Sequence, residues 1–97
     1  MDAEMVRAEA SKHGDAVAQG DMATAGSSLA KEAYGQAGEV MKALPKEIRS
    51  AEVLSVEADG ERFIARIVYR GDDSETVVAS TWEERDAQPK IVGLQTA

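Results

Sequence analysis

The chain has 97 residues, a formal net charge of −7 and no cysteine. That length allows one modest core, and the composition excludes disulfides, thiol catalysis and thiolate metal sites. No basic stripe is present to neutralise phosphates, so nucleic acid is not an expected partner.

A single histidine argues against a zinc site of the usual kind, and no metal or cofactor is implied. The N-terminus is polar and charged, and nothing approaches a membrane span. The expectation is one domain over residues 1–97, cytoplasmic, with no membrane partner.

The first half has helical periodicity. Over 3–19, Val6, Ala10, His13 and Val17 form one weakly apolar stripe, with Glu4, Arg7, Glu9 and Lys12 elsewhere. Gly20 ends this segment. His13 reads as a hydrogen-bonded histidine of the partly buried stripe or as a surface one. Asp21 is a good N-cap for the next segment. Met22, Ala25, Leu29, Ala33, Ala37, Val40, Met41 and Leu44 then recur at helical spacing. Gly26, Gly35 and Gly38 each cost about 1 kcal/mol inside a helix. The pattern therefore predicts two helices, over 22–31 and 35–44, broken near Tyr34-Gly35. Pro45 cannot continue the second. Met22 and Met41 read as core packing rather than as cofactor contacts.

From Arg49 the period falls to two, which predicts strands over 51–58, 61–70, 75–85 and 88–96. The fold class is α+β, with helices on one face of a four-stranded antiparallel meander. Gly71-Asp72-Asp73-Ser74 is turn chemistry, and pairing Arg70 with Glu75 sets Phe63 opposite Trp82, Ala65 opposite Ser80 and Tyr69 opposite Thr76. Asp59-Gly60 as a two-residue turn sets Val56 opposite Phe63, Leu54 opposite Ala65 and Glu52 opposite Ile67. A turn at Asp86-Ala87 sets Trp82 opposite Ile91, Ser80 opposite Gly93 and Val78 opposite Gln95. These registers produce an outer charge row, Glu57–Arg62–Glu83–Lys90, alternating in sign.

The expected inner face has a bulky row (Val56, Phe63, Trp82, Ile91) beside a row with three small members (Leu54, Ala65, Ser80, Gly93). Small residues in mid-sheet either admit a helix or leave a void. A void would make Leu54, Phe63, Ala65, Tyr69, Ser80, Trp82, Gly93 and Gln95 the lining of a small-molecule pocket. The competing account is a solvent-wetted rim of the sheet. On the outer face Ile64, Val68, Val77, Val92 and Leu94 lie among arginines that include Arg66. That mixed apolar surface predicts a homodimer through the outer face.

Three stretches also carry a family resemblance: Ala18-Gln19-Gly20-Asp21-Met22, the run from Tyr34 to Pro45, and the final hairpin from Ser80 to Val92. Together they resemble nuclear transport factor 2-like (SnoaL-like) domains, over nearly the whole chain. The resemblance implies a cystatin-like cone of helices packed into a curved sheet, frequent homodimers, and a short member lacking the early strand pair between the second and third helices. It also implies a family of isomerases, dehydratases, cyclases and non-catalytic proteins, in which fold does not fix function. Steroid-isomerase-type members use an inward carboxylate and a tyrosine. Here Glu52 and Tyr69 are the inward pair that the registers supply, and no catalytic residue carries over by position.

Two functions follow as expectations. One is a non-catalytic binding or dimerisation module. The other is a small enzyme or carrier for an apolar, ring-like molecule, with Glu52 as base, Tyr69 as donor and Phe63 and Trp82 as walls. An acidic mimic of nucleic acid is the weakest reading, because the acids alternate with bases along the strands.

Overall fold

The computed structural model describes residues 1–97. Helix α1 (Ala3–Gln19) starts where the Asp2 carboxylate accepts the Met5 amide at 2.9 Å. It stops at Gly20, whose φ of 76° is left-handed. The Gly20 amide donates to Val17 and the Asp21 amide to Ala16, so a Schellman motif closes the end. Asp21 then caps α2 (Met22–Ser27) through the Thr24 amide at 3.2 Å.

The second helix is shorter than its periodicity predicts. It ends at Ser27, and the break falls at residues 28–30 rather than at Tyr34-Gly35. The reason is tertiary. The Ser28 carbonyl accepts the Ile91 amide, and the Ala30 amide donates to the Ile91 carbonyl, each at 2.8 Å. This isolated parallel bridge pulls the chain onto the sheet edge. A 3₁₀ turn (Lys31–Ala33) then leads directly into α3 (Tyr34–Ala43).

Strands β1 (Ser50–Asp59), β2 (Arg62–Arg70), β3 (Glu75–Arg85) and β4 (Gln88–Thr96) form an antiparallel sheet in sequence order. The β2–β3 register is as expected, with Phe63 opposite Trp82 and Tyr69 opposite Thr76. At the last turn Asp86 and Ala87 both have positive φ (53° and 64°), the requirement of a two-residue I′ hairpin.

The β1 register differs. Gly60-Glu61 forms the loop, so Asp59 pairs with Arg62 and Val56 with Ala65. The charge row is therefore Asp59–Arg62–Glu83–Lys90, with Asp59 where Glu57 was expected. Leu54 is an extra residue between Val53 and Ser55, a bulge that reverses the facing of everything before it. Val53 pairs with Ile67 and packs on the core, whereas Glu52 pairs with Val68 and turns outward. A second bulge leaves Val92 unpaired, so Ser80 meets Leu94 and Thr81 meets Gly93.

Helix α1 crosses the inner face, and α3 runs along β4. Val6, Ala10, Ala33, Ala65, Trp82 and Ile91 are fully buried at its centre. Gly14 permits the close approach of α1, since a Cβ there would lie 3.3 Å from both Ala51 and Ile67. Burying each large apolar side chain of this set contributes about 1.5–3 kcal/mol. No helix is long and apolar enough to cross a membrane.

Candidate functional site

The inner face is occupied by protein. Ala65 and Ser80, the small residues flagged as a possible void, have no exposed surface. Ser80 sits in a polar relay: the Trp82 indole N–H donates to its Oγ at 2.8 Å, and the hydroxyl donates to the Ala65 carbonyl at 2.9 Å. This chain satisfies the two polar groups that enter the core with Trp82. His13 stands edge-on to the Trp82 ring, with centroids 6.4 Å apart. Its Nδ1 lies 3.1 Å from the Ala25 carbonyl. A carbonyl can only accept, so Nδ1 carries the proton and His13 ties α1 to α2. Burial lowers its pKa, partly offset by that hydrogen bond.

The expected pocket lining is therefore dispersed. Trp82 and Tyr69 are buried, Phe63 packs on the core, and Leu54 stands on the bulge, 47% exposed. Gly93 is carried away from Ser80 by the second bulge. Gln95 pairs with Ala79 and is exposed, bordering a shallow cleft beside α3. Glu52 and Tyr69 are not brought together as an acid–base pair. Glu52 is exposed and takes the Arg70 guanidinium at 2.8 Å on the outer face. Tyr69 points inward, and burial, with Asp15 as a lesser cause, pushes its pKa well above the ordinary phenol value. It stays a neutral phenol at any working pH. The enzyme reading loses its base to the bulge at Leu54.

The outer face is an ion-pair lattice centred on β2. Arg62 meets Glu83 at 2.9 Å, Arg66 meets Glu57 at 3.5 Å, and Arg70 lies between Glu52 and Glu75. The Glu52 hydrogen bond, before the other contacts, raises the Arg70 pKa. Arg66 and Arg70 flank Val68 on the same face of the strand, and long arginine stems cover apolar neighbours. Val68 is only 1% exposed although no helix covers that face. Ile64, Val77 and Val92 remain half-buried there. Leu94, expected outward, packs against the core instead.

One further feature lies at the end of the helical layer. A cleft of about 630 Å³ opens between the C-terminal ends of α1 and α3 and the segment joining α3 to β1. Val17, Met22, Met41, Leu44, Pro45 and Ile48 provide its apolar surface, and Lys42, Lys46, Arg49 and Glu47 its charges. Met22 and Met41 are 45% and 54% exposed, so the core role expected for them is incorrect. Sequence reading missed this cleft because its walls come from several short stretches outside the strand pattern. The two methionines were the signal.

These features place the chain among known folds. A solved structure from Burkholderia xenovorans LB400, described as an NTF-2-like protein of unknown function, superposes with a TM-score of 0.62. The match covers 97% of this chain and 82% of that chain at 20% sequence identity. The chain has an NTF-2-like fold. No protein-family model matches the sequence, and no curated protein matches it significantly. Between α2 and α3 this NTF-2-like chain has no strand pair, only the Leu29 bridge and a 3₁₀ turn. The close approach of α1 accounts for an inner face without a chamber.

Proposed function

We propose that this chain is a non-catalytic interaction module that self-associates through the outer face of its sheet. The observation that carries the reading is the half-buried group Ile64, Val77 and Val92 on a face that no helix covers. Apolar groups rimmed by charge mark interaction surfaces. The rim suits a second copy of the same chain. It carries both signs, Arg62, Arg66 and Arg70 beside Glu52, Glu57, Glu75 and Glu83, so a second copy offers each sign an opposite partner. The exposed, ion-paired position of Glu52 argues against the enzyme reading.

Sedimentation velocity tests the proposal. The parent chain is expected to sediment as a dimer, and Val77→Glu as a folded monomer with an unchanged far-ultraviolet circular dichroism spectrum. A parent chain that stays monomeric at high micromolar concentration refutes the reading.

A further inference from the structure

The cleft between the ends of α1 and α3 combines exposed methionines with lysines at its rim. Its floor exposes two methionines beside Leu44 and Ile48. Methionine side chains are unbranched and polarizable, and they adapt to apolar guests of varied shape. Its rim carries Lys42, Lys46 and Arg49, and the acids paired with cations there are Glu39, Glu47 and Asp72. Apolar side chains and lysine ammonium groups thus meet in one concavity. The volume, about 630 Å³, also falls within the usual range of small-molecule sites.

The rim cations are not equivalent. Arg49 is committed: Asp72 holds its Nε at 2.9 Å and Glu47 its Nη2 at 3.2 Å. Lys42 has only a loose 3.5 Å contact with Glu39, both side chains more than three-quarters exposed. Lys46 has no ion-pair partner. Lys46 is therefore free to meet an anion, and Lys42 can exchange its exposed contact with Glu39 for one. The ends of α1 and α3 carry partial negative charge, which opposes an anion close to them. At the α1 end, the Gly20 and Asp21 amides already occupy the Val17 and Ala16 carbonyls. The side of the cleft open to an anion is the Lys42–Lys46 rim.

We propose that this cleft binds a small carboxylate with an apolar body. The carboxylate sits between Lys42 and Lys46, and the body lies over Met22, Met41, Leu44 and Ile48. The site is separate from the sheet face on which self-association rests, and each proposal can fail without the other.

Decanoate is a suitable probe, with the decyltrimethylammonium cation as its charge-reversed counterpart. The chain has four methionines, so [methyl-13C]methionine labelling gives a compact spectrum. Met22 and Met41 report on the cleft, and Met1 and Met5 lie outside it. Decanoate below its micelle concentration is expected to shift the Met22 and Met41 methyl signals to saturation and leave Met5 in place. Lys46 is exposed, so Lys46→Glu should fold and weaken decanoate binding about fivefold or more. Absence of a saturable shift at Met22 and Met41 overturns the proposal. So does an equal response to the cationic probe, or a uniform shift of all four methyls.

Discussion

Ile67 and Val68 are neighbours on β2 and each is 1% exposed, yet they are buried by different means. Ile67 faces α1, where Gly14 brings the helix backbone close enough that a Cβ would lie 3.3 Å from its Cγ2. Val68 faces outward between Arg66 and Arg70, whose side chains remain about 40% exposed. The first kind of burial is a packed interior that resists displacement. The second is a cover of long, solvated side chains that a partner can move aside. A sheet can thus keep one face permanently closed and hold the other closed only provisionally.

The largest test of that contrast is Trp82→Ala. Removing a fully buried ring from the inner face should cost about 3–5 kcal/mol, measured by urea unfolding. Ser80→Ala should cost about 1–3 kcal/mol, because it strands the buried Trp82 indole N–H. A control that touches neither face is Ala87→Gly. It relieves a left-handed alanine at φ 64° and should stabilise the chain by about 1 kcal/mol.

The inner face should also respond to acid through His13. Its folded pKa lies below the ordinary histidine value, so the unfolded chain takes up the proton first. The stability that neutral His13 contributes is complete above about pH 6.5, and it is lost as pH falls from there through the lowered folded value. His13→Gln should flatten that part of a stability–pH curve. The smallest effect belongs to the outer face. Arg62→Ala, which removes a pair with Glu83, should change stability by less than about 1 kcal/mol. A loss comparable to Trp82→Ala would show that the two faces are not built differently.

Periodicity made most of this architecture legible. The helix at 3–19, the four strands and the β2–β3 register follow from local pattern and turn chemistry, because a one-residue slip there would mix the faces. What local pattern could not convey was the effect of single unpaired residues. Leu54 and Val92 look like ordinary strand members, and only the competition between neighbouring strands makes each of them surplus. That competition turned Glu52 outward and Leu94 inward. The early end of α2 was hidden for a similar reason, since a hydrogen bond to distant Ile91 overrode a continuous helical stripe. The cleft was illegible because no period connects its walls.

The bulge at Leu54 has one more consequence, for colloidal behaviour. Strand β4 has its free edge masked by Ser28 and Ala30 and by Gln36, whose Oε1 accepts the Leu94 amide at 2.8 Å. Strand β1 is the other outermost strand, with no further strand beside it. An open, regular edge is a template on which further copies can add strand by strand. The surplus residue kinks that template in the middle and interrupts its regular alternation of donors and acceptors. Deleting Leu54 would leave the facing of Glu52 and Val53 unchanged and make the edge straight, and the resulting chain is expected to self-associate more readily through that edge, measured by light scattering.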